Sequence, residues 1–155
     1  MLIQLKADER KHHSSDSIAK MSANIPLDDA DRWDWLIRLR EAAIEALEDG
    51  GNVGVVMTCS ALKRKYRDVI RIATLDACSV RLHFLYLDAS LYTLKMRLHA
   101  RKGHYMSSSM IESQLRDLEP IGKGETDVIR VDVNGSQNDN RNLITATMNS
   151  ILRTR

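Results

Sequence analysis

Apolar and polar positions change period several times along the chain, and each change marks an element. Met1 to Leu5 (MLIQL) is a short apolar run of strand type, and residues 6 to 24 are polar without an assignable period. From Leu27 the pattern sharpens. Asp28, Asp29 and Asp31 crowd a helix start, where acidic side chains accept from free backbone N–H groups and complement the helix dipole. Leu36, Leu39, Ala43 and Leu47 follow near helical spacing, until Gly50-Gly51 stops the helix. Asn52 to Thr58 (NVGVVMT) is almost continuously apolar, as expected of a strand covered on both faces.

The alternation continues to the end of the chain. Cys59-Ser60 leads into a basic helix over about residues 62–75, and Val80 to Leu87 (VRLHFLYL) reads as the next strand. Ser90 to Arg101 carries a helical stripe of Leu91, Leu94 and Leu98, and Ser109 with Glu112 has capping-box spacing for a helix reaching about Leu118. Val128 to Val133 is a last strand and Asn138 to Arg153 a last helix. Strands alternating with helices predict an α/β layer with a mainly parallel sheet, in one domain over residues 1–155. Ligands of such sheets bind beyond the carboxyl ends of the strands, which points to Asp8, Ser60 to Arg67, and Asp88.

Composition narrows the function classes. With 43% apolar and 28% charged residues and a formal charge of +2, the chain is an ordinary soluble one, with no bulk charge for nucleic acid or an acidic membrane surface. Cys59 and Cys78 have neither zinc-ligand nor CxxC spacing. No apolar run approaches the ~20 residues of a membrane helix, and no signal-peptide core opens the sequence, so a cytoplasmic setting is expected.

Three segments could carry chemistry. CSALKRKYRD, Cys59 to Asp68, opens from the apolar strand into a helix, placing backbone N–H groups, Lys63 and Arg67 at a strand's carboxyl end, an arrangement suited to an anion. A basic, solvated helix face is the plainer alternative. RLHARKGHYM, Arg97 to Met106, puts Arg97 and Arg101 on one helix face before a Gly-His hinge. Arginine pairs of this kind stabilise charge spread over a transferring phosphate, although a surface helix with a glycine cap has the same pattern. Near the N-terminus, Asp8 and Glu9 follow a strand candidate, where a carboxylate could accept a hydroxyl proton. His12 and His13 are adjacent on a polar stretch, which does not argue for a metal site.

In order and spacing these segments resemble the gluconokinase family. Ile18 to Trp35 (IAKMSANIPLDDADRWDW) is similar to its succession of KM, PL, D, DR and tryptophan. Cys59 to Asp68 resembles its CSALKxxYRD motif, Arg97 to Met106 its RLxxRxGHFM lid, and Ser113-Gln114 with Leu118-Glu119 the segment that follows. Ile129 to Val133 (IRVDV) resembles its last strand. The resemblance implies a three-layer P-loop kinase-like fold and phosphorylation of D-gluconate at its 6-hydroxyl by ATP with Mg²⁺, in a protein that is commonly dimeric. It implies Asp8, or its competitor Glu9, as general base, with Arg101 assisting. It further implies His13, Lys63, Arg67 and His104 as gluconate-binding residues, and Arg97 and Arg101 as nucleotide-binding residues.

One departure from the family pattern is large. The family opens with a strand, a GxxGxGKS/T loop and a helix, and no loop of that form occurs among these scattered glycines. The expected fold is therefore incomplete, lacking that first strand, loop and helix. The strands at 52–58 and 80–87 would then close up, take in Met1–Leu5, or accept a strand from a partner chain. Such a loop supplies an amide nest, a lysine for the β- and γ-phosphates and a hydroxyl for Mg²⁺. Loss of even one preorganised donor lowers rate by roughly 10²–10³-fold. The chain by itself is expected to transfer phosphate weakly or not at all. The alternative is a non-catalytic relative that binds gluconate or a partner protein.

Overall fold

A computed structural model describes residues 2–5, 13–23, 25–48, 52–77, 79–100 and 108–153. The chain divides into two compact units, residues 1–82 with 105–120, and residues 83–104 with 121–155.

In the first unit, strand β1 (Leu2–Leu5) pairs in parallel with β2 (Gly54–Met57), from Leu2 opposite Gly54 to Leu5 opposite Met57. Helix α1 (Ser15–Ser22) lies in the polar segment whose sequence gave no period. Ser14 starts it, its hydroxyl accepting from the Ser17 N–H at 3.1 Å. Helix α2 (Asp29–Glu48) starts on a reciprocal cap: the Asp31 N–H donates to Asp28 and the Asp28 N–H donates to Asp31. Trp35, Leu36, Leu39 and Ala43 form its buried stripe, one turn earlier than a stripe ending on Leu47, which is only half-buried. They pack in a core that also contains Leu62, Tyr66, Val69, Ile70 and Ala73.

The basic helix expected over 62–75 is broken at Ile72 into α3 (Arg64–Arg71) and α4 (Ala73–Asp76). The Thr74 hydroxyl donates to the Arg71 carbonyl, and the Leu75 N–H bonds three residues back to Ile72. Both tighten the chain out of α-helical geometry. β2 is half-buried along its length rather than fully covered, with a single described partner strand. Helix α6 (Ser108–Asp117), close to the expected capping-box helix, completes this unit and buries Ile111.

In the second unit, β3 (Phe84–Asp88) runs parallel to β4 (Val128–Asp132). The expected strand started at Val80. The ladder starts at Phe84 because β4 itself starts at Val128, directly after the turn in which the Glu125 N–H bonds to Gly122. Helices α5 (Leu91–Ala100) and α7 (Gln137–Arg153) complete this unit. The described strands thus form two sheets of two. The two strands for which closing up, uptake of Met1–Leu5 or a partner's strand stood as alternatives pair, among the described residues, with β1 in the case of β2 and with β4 in the case of β3.

Candidate functional site

The turn after β2 concentrates the charged side chains of the first unit. Ala61 has a backbone φ of 24°, a conformation uncommon for an L-residue, and Arg67 secures the turn around it. One Arg67 nitrogen donates to the carbonyls of Ala61 and Leu62, both at 3.2 Å, and the residue is only 3% exposed. The guanidinium predicted to meet substrate therefore holds the loop that carries Lys63.

Lys63 meets Asp29 at 3.1 Å. Lys65 and the Tyr66 hydroxyl donate to the same carboxylate, whose side chain is 45% exposed. Arg32, Lys63 and Lys65 lie 5.8, 5.7 and 5.9 Å from the centre of the Tyr66 ring, within range of its negative face. Arg32 is itself placed by the Leu27 carbonyl and the Ser60 hydroxyl, both at 3.3 Å. Hydrogen bonds from Lys65, Tyr66 and Lys63 hold the Asp29 carboxyl well below the usual carboxylate range. Burial, helped by Asp29, pushes the Tyr66 phenol up to about 12, and Asp29 raises Lys63. Asp31 is separately engaged by Lys20 at 2.7 Å, which lowers its pKa.

The amide end of α3 is also occupied. Its first turn has no acidic side chain of its own, and the Arg64 N–H donates to Glu119 at 2.6 Å, a residue 55 positions along the chain. Of the groups that the sequence marked as an anion site, Lys63 and the Arg64 N–H are met by two of the chain's own carboxylates, and Arg67 donates to backbone carbonyls.

His13 stacks on Trp35 with ring centres 4.6 Å apart and planes 13° from parallel. Arg97, in the second unit, donates to the carbonyls of Val133 and Gly135, fastening α5 to the turn after β4. That turn is further tied by Asn134, whose side-chain oxygen accepts from the Ser90 N–H and the Thr93 hydroxyl at 2.8 Å each. Asn134 in turn donates to Asp132, which lowers the Asp132 pKa. Asp8, Glu9, Arg101 and His104 lie outside the described residues. The structure thus brings Lys63 and Arg67 together on one turn with Ser60 and Tyr66 of the same expected segment, and adds Asp29 and Arg32 as neighbours that the sequence did not assign to the site. The only local signal for Asp29 was an acid in excess of what a helix start needs, since Asp28 and Asp31 complete the cap.

Among the described residues, no group of three His, Cys, Asp or Glu side chains is placed to hold a metal ion, and no helix is long and apolar enough to cross a membrane. With no GxxGxGKS/T loop in the sequence, the described residues do not fit a cradle for Mg²⁺-triphosphate.

The parallel βα units belong to a small-molecule kinase fold of the P-loop type, as comparison with solved structures shows. A gluconokinase from Sinorhizobium meliloti 1021 superposes with a TM-score of 0.71 at 33% identity, over 99% of this chain and 82% of that one. The probable gluconokinase of Schizosaccharomyces pombe is 46% identical over 126 residues, which are 81% of this chain and 65% of that protein. The probable gluconokinase of Xenopus tropicalis is 35% identical over 136 residues, 81% of this chain and 70% of the relative. No family model matches the sequence. The chain belongs to the gluconokinase family, and it spans just under two thirds of the length of its fission-yeast relative.

Proposed function

We propose that this chain carries the gluconate side of an ATP-dependent kinase that converts D-gluconate to 6-phospho-D-gluconate. The observation that supports this most is the cationic cluster of Arg32, Lys63 and Lys65 around Tyr66, on the turn that follows β2. Gluconate is an anion with a polyhydroxyl tail. Two ammonium groups and a phenol supply donors for its carboxylate, while Arg67 keeps the turn in shape through backbone carbonyls. His13, which stacks flat against Trp35, would by family resemblance belong to the gluconate-binding set. By family resemblance, Asp8 or Glu9 would take the proton of the 6-hydroxyl, and Arg97, Arg101 and His104 would act on the nucleotide and over the substrate. ATP with Mg²⁺ would be the co-substrate, and the described residues contribute no cradle for it.

A gluconate phosphorylation assay run beside gluconate and ATP titrations of the 155-residue chain tests this reading. Saturable gluconate binding with little or no turnover is the expected result. Turnover of about 1–100 s⁻¹, ordinary for a kinase, would show that these residues grip the triphosphate after all. Gluconate stabilisation with no nucleotide effect would make the chain a binding module of the same family.

A further inference from the structure

We propose that Asp29 is a resident stand-in for the ligand's acid group: its carboxylate occupies the donors of Lys63, Lys65 and Tyr66, and a small carboxylate- or phosphate-bearing anion must displace it to bind. The identity of that anion as gluconate rests on the functional reading above; the exchange itself rests on the geometry alone.

Four observations carry the inference. Three donors from one turn and helix converge on a single carboxylate that sits on another element, 34 to 37 positions away in sequence. That carboxylate is not required by its own helix, because Asp28 and Asp31 already form the reciprocal cap of α2. Among the described residues positive charge is in excess at the cluster: Arg32, Lys63 and Lys65 surround the Tyr66 ring, Asp29 is the acid that bonds into them and Asp117 acts on Lys63 through space, while Asp31 is bound to Lys20 and Asp68 to Arg64 and Arg71. Finally, Asp29 is 45% exposed, so it can leave the donors for water without unpacking the core.

Chemically, an aspartate carboxylate and the carboxylate of a sugar acid are the same group, with the same charge and two acceptor oxygens. A ligand that replaces Asp29 restores each hydrogen bond it breaks, so exchange leaves no donor unsatisfied. The competition lowers apparent affinity by the fraction of time the donors are vacant. It also discriminates: a neutral sugar cannot take the place of the carboxylate, whereas an acid can.

The test is calorimetric titration of the wild-type chain and Asp29→Asn with potassium gluconate and, separately, with inorganic phosphate. If the donors are vacant about a tenth of the time, Asp29→Asn binds both anions about tenfold more tightly. On the wild-type chain, the carboxyl ¹³C resonance of Asp29 should move towards that of a solvated aspartate as either anion saturates. Equal or weaker binding by Asp29→Asn overturns the inference, as does an Asp29 resonance unmoved at saturation, or failure of both anions to bind either protein. Tighter phosphate binding with no gluconate binding by either protein leaves the exchange standing and removes gluconate as the ligand. If circular dichroism shows Asp29→Asn unfolded, the wild-type resonance decides alone: movement supports exchange, and no movement or no binding overturns it.

Discussion

The two compact units solve different problems with similar residues. Of the buried apolar side chains among the described residues, eleven belong to the first unit and only Val131 and Val133 to the second. The first unit thus has a core that fixes Tyr66 and Arg67, and can leave a carboxylate and two lysines at its surface in a charged cluster. The second is organised by polar bonds around one turn: Arg97 and Asn140 donate to the carbonyls of Val133 and Gly135, and Asn134 holds Ser90 and Thr93. A lysine held by a side-chain carboxylate can change partner. The backbone carbonyls that hold Arg67 and Arg97 move only with the turns that carry them. Basic residues that look alike in sequence therefore divide into exchangeable ones, Lys63 and Lys65, and fixed ones, Arg67 and Arg97.

The largest expected effect tests the difference in packing. Leu36→Ala removes a fully buried side chain from the first unit and should cost about 2–5 kcal/mol in urea unfolding. Leu87→Ala in the second unit, where the side chain is 52% exposed, should stay within about 0.5 kcal/mol. Equal costs would erase the contrast.

Next in size is the division between exchangeable and fixed cations. Lys63→Met should weaken gluconate binding by roughly 10–100-fold, the value of about 1.5–3 kcal/mol for a hydrogen bond to a charged group. Arg67→Lys should instead lower the melting temperature, since the strongly hydrated lysine ammonium costs more to bury against the Ala61 and Leu62 carbonyls than the guanidinium does. Were Arg67→Lys to keep its melting temperature and lose gluconate, Arg67 would belong with the ligand-binding cations.

For the second unit, Asn140→Ala removes donors at 3.0 and 3.1 Å from the Val133 and Gly135 carbonyls. It should destabilise by about 1–3 kcal/mol, read by chemical denaturation.

The smallest effect is on pH dependence, and it should follow the charged cluster. Asp29 and Asp31 have lowered pKa values, so their contribution is present above the ordinary aspartate range, near pH 4, and is lost as pH falls through the folded-state values. Tyr66 has a raised value, so its contribution is complete below about pH 10 and is lost as pH rises towards about 12. Unfolding midpoints measured across pH should decline at both ends; Tyr66→Phe should flatten the alkaline decline and, by removing one of the hydrogen bonds that lower Asp29, reduce the acid decline to a smaller extent.

The sequence by itself determined the order of strands and helices from Leu27 onward, the α/β class, and the turn where basic residues gather. Those follow from periodicity and caps, which are properties of neighbouring residues. Helix α1 escaped because eight residues, only three of them apolar, are too few to stand out within a polar stretch, even with Ser14 capping them. What only the tertiary structure decided is which charge meets which. Asp29 reaches Lys63, Lys65 and Tyr66 across 34 to 37 positions, and Glu119 caps α3 across 55. A carboxylate fixes no backbone period, so its partner is chosen by the packing of α2, α3 and the segment after α6, and that packing turned an apparent open anion site into one the chain fills itself.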